Sequence, residues 1–243
     1  MATVASYIIT EASITCFPHP NSDNETLYAA LIGPVMAIWL ELNDFNAFHA
    51  SAICNDQSCY AFAARSGGGK SSLLGSFLHN TQCQLVTDDL LPVFSCGSRY
   101  SVHGGHGAIR LHEQQITKLL KIDPSSIPRS SVTEKIMVPI QQLVANRLTG
   151  TAPLKRIYLL ERSPEPSIPI SITRLHGREA LIGLLRNQYS INIIEKLGKL
   201  PERMKLLARL AKDIPVCRLI YPSGYEHLPN TVSHIMRDFS KSY

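Results

Sequence analysis

The sequence predicts an α/β fold, with a mixed sheet and flanking helices around one core. Three glycines at residues 67–69 join an apolar, strand-like run to a helix-like run. Elsewhere, short apolar runs of strand length are mixed with helical ones, as in other α/β proteins. With 243 residues and 44% hydrophobic content, the chain can bury one sizeable core. We therefore expect a single domain over residues 1–243, with residues 1–46 as a β-rich N-terminal extension packed on it.

The segment before the glycines is expected to be rich in strands. Residues 7–17 alternate loosely as a strand does, and the polar residues 18–26 predict a loop. The period of the apolar residues 27–42 leaves helix and strand both open. Two apolar runs, 48–54 and 59–64, flank the turn-forming sequence NDQS. Because Asn and Asp tolerate turn geometry, these runs predict a hairpin that leads directly into the glycines.

After the glycines, strands and helices continue to alternate. The pattern predicts helices over 71–78, 109–121 and 177–189, strands over 84–87, 135–143 and 155–161, and a strand pair over 90–102 turning at 96–98. Residues 123–133 and the proline-rich 163–169 predict loops, and the C-terminal part is expected to be mostly helical.

Composition narrows the function classes. The longest apolar run, residues 32–40, is far shorter than the roughly 20 residues that cross a bilayer, so no membrane association and a cytoplasmic location are expected. Six cysteines show no CxxC pair, which predicts buried thiols rather than a zinc site. The net charge of +5 fits a protein that binds anionic ligands and an ordinary soluble surface equally well, so it does not separate these classes. The basic segment 195–213 has apolar residues at helical spacing and is interpreted as a packed helix, so no nucleic-acid partner is expected.

The stretch ARSGGGKSSL, residues 64–73, predicts a phosphate site. Lys70 and Ser71 complete the Gly-Lys-Ser end of a Walker A motif, although Ala64 stands where the motif begins with glycine. Glycine backbone N–H groups and the N-terminus of a helix together form an anion site. Lys70 is expected to reach the terminal phosphates and Ser71 to hold Mg²⁺. The predicted nucleotide-binding residues are Ser66, Gly67, Gly68, Gly69, Lys70, Ser71 and Ser72.

Two adjacent carboxylates, Asp88 and Asp89, follow the predicted strand 84–87. Consecutive strand residues point to opposite sides, so the two are expected to have different roles. One can face a metal, and the other can accept a proton from an attacking hydroxyl. A turn or helix-cap role for Asp89 remains an alternative. His49, on an apolar run before the hairpin, fits either a core histidine or a partner of one of the two aspartates.

The order FHASAI, hairpin, SGGGKSSL and LVTDDLLPV resembles the P-loop catalytic domain of the HPr kinase/phosphorylase family. The likeness is clearest over residues 48–93. It continues more weakly in HGAIRLH, PLKRIYLLER and GREALIGLLRNQY, as in short relatives that include the kinases encoded with lasso peptides. The resemblance implies an HPr-kinase-like mixed sheet, ATP and Mg²⁺ as ligands, and transfer of the γ-phosphoryl group to a serine. For the short relatives the acceptor is the C-terminal serine of a lasso precursor peptide.

The resemblance also implies roles for single residues. It places Asp88 at the carboxylate that takes the serine proton, His49 beside it, and Lys70 in the phosphate loop. Ser71 and Asp89 are then the Mg²⁺ ligands. Arg110, in HGAIRLH, is a candidate contact to phosphate or acceptor, with a surface ion pair as its alternative.

Two departures from the family limit what is implied. No counterpart of its glutamate-containing signature loop is found, so phosphorolysis is not expected. No separate N-terminal domain is visible either, so sugar-phosphate sensing and a hexamer are not expected, while a homo-oligomer is left open. Two alternatives to the lasso peptide kinase stay open. One is a kinase of HPr or of a small hydroxyl metabolite, and the other is a nucleotide-binding module without transfer.

Overall fold

The protein is built on one branched sheet, shown here by a computed structural model that describes residues 4–96, 99–129, 134–143, 146–189 and 191–241. Nine strands of the described chain join in this sheet, and helices pack on it. The predicted mixed α/β class with flanking helices is confirmed at this level.

The N-terminal part is a hairpin followed by a helical run. Strands β1 (Ala5–Ile9) and β2 (Ile14–Pro18) pair antiparallel, so the predicted strand 7–17 is a hairpin instead. Helices α1 (Asn24–Ala30) and α2 (Met36–Leu42) are joined through a π-helical turn, Leu31–Val35, which contains Pro34. Residues 27–42, for which the sequence left helix and strand both open, are therefore helical. The β-rich description of residues 1–46 holds for the hairpin and fails for this helical half.

The run Asn24–Leu42 also bears on the membrane prediction. At 19 residues and a mean hydropathy of 1.3, it is long and apolar enough to cross a membrane by length and composition alone. Of its most apolar 18-residue stretch, 28% is buried within the protein. A core helix passes the same test. Near its end, Glu41 is fully buried and paired with Arg203, so this end packs into the fold.

The next strands bring the chain to the glycines. Strands β3 (Asn46–Phe48), β4 (Ala50–Asn55) and β5 (Ser58–Ala63) follow, and β4 and β5 form the predicted hairpin. Its turn places Asp56 and Gln57 at φ 47° and 60°. Helix α3 (Lys70–Asn80) and strand β6 (Gln84–Thr87) confirm the predicted helix and strand.

In the middle of the chain, the observed secondary structure differs most from the one that the sequence pattern predicted. Strands β7 (Leu91–Cys96) and β8 (Arg99–His103) are the predicted pair, whose turn at residues 97–98 lies outside the described residues. The predicted helix over 109–121 begins as strand β9 (Ala108–Leu111), which pairs with β10 (Ile136–Pro139). Only then come α4 (Glu113–Gln115) and a π-helical turn, Ile116–Leu120. Pairing with β10 overrides the helical spacing of these residues.

The C-terminal part completes the sheet. Strand β11 (Thr151–Ser163) is long: its first residues pair with β8 and its later ones run parallel to β5. Strands β12 (Ser171–Leu175) and β13 (Val216–Pro222) extend the sheet beyond β11, and the sequence analysis missed both. The helices are α5 (Gly177–Arg186), α6 (Ile191–Lys196), α7 (Leu200–Asp213) and α8 (Leu228–Phe239).

A buried arginine on α7 ties the N-terminal helix to the sheet. Arg203, 3% exposed, pairs with Glu41 at the end of α2 and donates to the side chains of Asn46 in β3 and Gln188. A buried charge is costly unless it is paired and hydrogen-bonded, as it is here. These contacts fix β3, the strand that leads to His49.

Candidate active site

The glycine loop lies between central strand β5 and helix α3. Gly67 and Gly69 adopt φ of 77° and 94°, in the left-handed region that favours glycine. At Gly69 a Cβ atom would lie 2.6 Å from the Tyr221 hydroxyl, so the close approach of two chain segments also requires glycine there. The turn is closed by a hydrogen bond from the Gly68 N–H to the Arg65 carbonyl at 2.9 Å. The loop therefore ends at the start of an 11-residue helix, where backbone N–H groups without helical partners are able to bind an anion.

Lys70 folds back into this loop. Its Nζ donates to the Ala64 carbonyl at 2.9 Å and lies 3.1 Å from Nε2 of His49. Alanine, at the position where the motif begins with glycine, therefore still supplies a carbonyl acceptor for the lysine. The lysine is 5% exposed, and burial lowers its pKa, an effect opposed by the charges of Asp89 and Asp88.

Asp88 is a buried acceptor between the loop and the sheet. Its Oδ1 accepts from the hydroxyls of Ser51 at 2.6 Å and Ser71 at 3.1 Å. Its Oδ2 accepts from the backbone N–H of Arg110 at 2.9 Å. The residue is only 3% exposed, so its carboxylate is held against the first turn of α3, behind Ser71, which lines the cavity.

Asp89 faces the cavity instead. Its φ of 74° turns the chain sharply after β6, and its side chain is 24% exposed. Oδ1 lies 2.8 Å from Nε2 of His49, and Oδ2 lies 3.6 Å from Nη1 of Arg110. Burial alone would raise the pKa of this carboxyl, but the hydrogen bond and charge of His49, with Lys70 and Arg110, lower it to about 2.

The two aspartates thus have separate surroundings, but their contacts are the reverse of the expected ones. The sequence interpretation placed His49 beside Asp88 and put Ser71 with Asp89. In the structure His49 contacts Asp89, and the Ser71 hydroxyl donates to Asp88. The physical reason is the left-handed backbone of Asp89, which breaks strand alternation and points its side chain towards the loop.

His49 connects the lysine to the exposed aspartate. It lies between β3 and β4, where its N–H donates to the Asn187 carbonyl at 2.8 Å. Its Nε2 is within hydrogen-bond distance of both Asp89 and Lys70. One ring nitrogen can donate to the carboxylate or accept from the ammonium, but not both at once. The ring can therefore exchange one contact for the other when a ligand binds.

These groups meet in one cavity of about 610 Å³. The loop residues Ser66 to Ser72 form one side, and His49, Asp89 and Arg110 form another. Ser72 is bound by the Gln115 side chain at 2.6 Å, while Ser66 is exposed at the mouth. Every candidate residue from the sequence analysis except the buried Asp88 lines this cavity. The other lining residues are His112, Gln115, Lys135, Arg162, Tyr221, Gly224, Tyr225 and Leu228.

Several of these cavity residues had no predicted role. Tyr221 and Gly224 lie at the end of β13 or just after it, and that strand was not predicted. Arg162 lies in the segment PLKRIYLLER, which contributed to the family resemblance but indicated no role for this arginine. Ser51, within FHASAI, had no predicted role either; it is buried outside the cavity lining, where its hydroxyl donates to Asp88. The available signal for it was a polar residue two positions after His49 in an apolar run.

The fold and site together define an α/β protein with a cavity lined by a glycine loop and by the Asp89 carboxylate. No family model and no curated protein matches the sequence. Among solved structures, the chain is similar to the HPr(Ser) kinase/phosphatase from Coxiella burnetii. The TM-score is 0.42 and the identity 12%, over 79% of this chain and 95% of that chain. The function proposed below therefore follows from the side chains of the site and not from this likeness.

The depressed pKa of Asp89 predicts a pH-dependent stability. A carboxyl whose pKa falls from 3.8 to about 2 on folding stabilises the protein fully above pH 3.8, and this is lost as pH falls towards 2. Asp89→Asn should therefore lower the free energy of unfolding by about 2 kcal/mol at pH 6, and by less below pH 4. Asparagine tolerates a positive φ, so backbone strain does not add to the effect.

Urea unfolding at pH 6, 4 and 3 measures this difference. Glu195→Gln, which neutralises an exposed carboxylate on α6, is the matched control and should show no such dependence. A difference between wild type and Asp89→Asn that stays constant from pH 6 to pH 3 would contradict the contacts of Asp89.

Proposed function

We propose that the protein is a kinase that transfers the γ-phosphoryl group of ATP to a serine hydroxyl. The observation that carries this proposal is the Asp89 carboxylate, ionised and partly exposed at the mouth of the glycine-loop anion site. A protein that only binds nucleotide needs one carboxylate near the loop, and Asp88 already occupies that place. The second carboxylate, in contact with a histidine, is what phosphoryl transfer to a hydroxyl requires.

The loop would hold the nucleotide by its phosphates. The backbone N–H groups of residues 66–72, except that of Gly68, which closes the turn, would supply donors without a net charge, together with the N-terminus of α3. Lys70 supplies the charge: its ammonium now bonds to the Ala64 carbonyl and would turn towards phosphate oxygens instead. A buried lysine with a lowered pKa gains most from such an anion, because burial without a counter-ion disfavours its charged form.

The residues around Ser71 fit a magnesium ion. Mg²⁺ in phosphoryl-transfer sites binds through one or two oxygen side chains together with substrate phosphates and water. The Ser71 hydroxyl and the Asp88 carboxylate, 3.1 Å apart at the first turn of α3, form such a donor set. When bound there, Mg²⁺ would neutralise charge on the phosphates. The contacts favour Asp88 for this task, and not Asp89 as the sequence alone suggested.

Asp89 is then the base. As the serine oxygen attacks the γ-phosphorus, the hydroxyl proton passes to the Asp89 carboxylate, and ADP leaves. His49 donates from Nε2 to Oδ1 and fixes the carboxylate towards the cavity. Arg110, 3.6 Å from Oδ2, can also contact the transferred group. A pKa near 2 suits an ionised resting state, and the arriving phosphates would draw Lys70 and Arg110 away and raise it.

The proposed acceptor is a serine hydroxyl of a peptide. More specifically, we propose the C-terminal serine of a lasso precursor peptide. Support comes from the sequence motifs around His49, the loop and the aspartate pair. We further propose that the protein acts in the cytoplasm, as a homo-oligomer and without nucleic-acid or membrane partners, in keeping with its composition and motifs.

Substitutions at the two functions should separate binding from transfer. Asp89→Asn should keep ATP binding and lose transfer by about 10²–10⁴-fold, the usual contribution of a positioned base. Lys70→Ala should weaken both. Calorimetric titration with ATP and a labelled-phosphate transfer assay measure the two quantities, with Glu195→Gln as the control. Full transfer by Asp89→Asn would remove the assigned base.

The acceptor is tested with a panel of hydroxyl compounds. A lasso precursor peptide, the same peptide without its terminal serine, HPr and free serine are each incubated with labelled ATP and Mg²⁺. Label on the complete precursor alone is the expected result. Label on HPr or serine would favour the alternative acceptors. Saturable ATP binding without label on any acceptor would favour a module that does not transfer phosphate.

A further inference from the structure

Tyr221 carries a buried hydroxyl that the proposed mechanism does not use. The residue ends strand β13, is 1% exposed, and its oxygen has no hydrogen-bond partner among the described residues. Leaving a buried hydroxyl without a partner costs about 1–3 kcal/mol. Burial also raises the pKa of Tyr221 to about 12, so the hydroxyl keeps its proton and remains a donor. Such a group needs an acceptor that none of the described residues supplies.

The hydroxyl lies against the glycine loop. A Cβ atom built on Gly69 would be 2.6 Å from the Tyr221 oxygen, and Tyr221 is one of the residues that line the cavity. The glycine at this position therefore keeps the tyrosine and the loop backbone close together. An acceptor oxygen seated on the loop N–H groups would come within reach of the tyrosine proton.

Arg162 lies beside the same glycine. It ends the long strand β11, next to β13, and its register partner is Tyr221 itself. Nη2 donates to the Gly67 carbonyl at 2.6 Å, and the side chain passes within 2.9 Å of the position of a Gly69 Cβ. The guanidinium has five N–H donors in a planar fork, so this bond leaves others for an anion. Arg162 also lines the cavity and is exposed to it.

We propose that Tyr221 and Arg162 form a second wall of the nucleotide site that binds the α- and β-phosphate oxygens seated on residues 67–69. This inference rests on the proposed function. It adds a positioning pair on strands β11 and β13, across the loop from the His49 and Asp89 side. In phosphate loops of this kind the glycine amides hold the α- and β-phosphates and the lysine reaches the β- and γ-phosphates. The pair therefore holds the part of the nucleotide that is not transferred.

The contacts of Tyr221 predict a combination of effects on stability and nucleotide affinity that a tyrosine with a purely structural role would not show. Tyr221→Phe removes an unpaired buried hydroxyl, so the ligand-free protein should melt at the same temperature or higher. The same change removes a donor to phosphate, so nucleotide should bind less tightly. Stability and affinity are expected to move in opposite directions. A tyrosine that only packs, or one with a hidden protein partner, would not produce this combination.

The experiment uses the full chain as wild type, Tyr221→Phe, Arg162→Gln and the control Arg218→Gln, an exposed arginine of β13 outside the cavity. Melting temperature is measured without nucleotide, and dissociation constants for ATP and ADP are measured by calorimetry with Mg²⁺. Tyr221→Phe and Arg162→Gln should each weaken ATP and ADP about tenfold and to the same extent, the size of one charge-assisted hydrogen bond. The Arg218→Gln control should change neither affinity.

Each outcome decides between the two claims. If wild type binds neither ATP nor ADP, the proposed function is wrong, and this inference, which rests on it, is wrong as well. If wild type binds both and either substitution leaves both affinities unchanged, the inference alone fails. A loss confined to ATP would place the pair at the γ-phosphate and overturn it. A lower melting temperature of ligand-free Tyr221→Phe would show a partnered hydroxyl and overturn it as well.

Discussion

The contact between His49 and Asp89, with Lys70 on the same ring nitrogen, is the constraint on which the candidate site depends. It places an ionised carboxylate and two cations, Lys70 and Arg110, around one small volume beside the glycine loop. In a partly buried site these charges interact more strongly than they would in water. Lys70 is balanced by Asp89, and Asp89 by its neighbours, so removal of any one of them leaves the others uncompensated. The proposed phosphate group would bind beside this carboxylate and would add negative charge next to the two cations.

Four separate chain segments must meet for this contact to exist. His49 comes from the junction of β3 and β4, and Lys70 from the start of α3. Asp89 comes from the turn after β6, and Arg110 from β9. Strand β5, buried on both faces and paired in parallel with β11, fixes the loop at the centre of the sheet. On the other side, the buried Arg203 network holds β3. Both sides of the site are thus attached to buried parts of the fold, so the position of the carboxylate relative to the loop is set by packing.

The sequence predicted the components of this site better than their arrangement. The glycines with Lys70 form a local motif whose chemistry follows from adjacent residues. The aspartate pair was visible for the same reason. Which carboxylate faces the cavity was not, because alternation predicts only that the two differ, the resemblance placed Asp88 beside His49, and the left-handed backbone of Asp89 has no local signal. That single dihedral angle exchanges the surroundings of the two side chains.

Non-local pairing explains the remaining differences. Strand β13 pairs with β11 and brings Tyr221 beside Arg162, although 59 positions separate them along the chain. No local pattern near Tyr221 signals this. Similarly, residues 109–111 have helical spacing but form a strand because β10 is available as a partner. At 27–42 the period was ambiguous, and the buried Glu41–Arg203 pair shows that tertiary contacts anchor the end of that helical run.

Because Asp89 is the base in this account, its response to nucleotide is the central point. Its carboxyl pKa should be about 2 in the free protein and should rise when phosphates draw Lys70 and Arg110 away. The measurement is a carbon-13 NMR titration of the Asp89 carboxyl, with Asp89→Asn to assign the signal, in the absence and presence of a non-hydrolysable ATP analogue and Mg²⁺. A clear upward shift of the pKa with nucleotide is the predicted result. A pKa that is unchanged at saturating nucleotide would contradict the account, because the carboxylate would then be a fixed counter-ion and not a base.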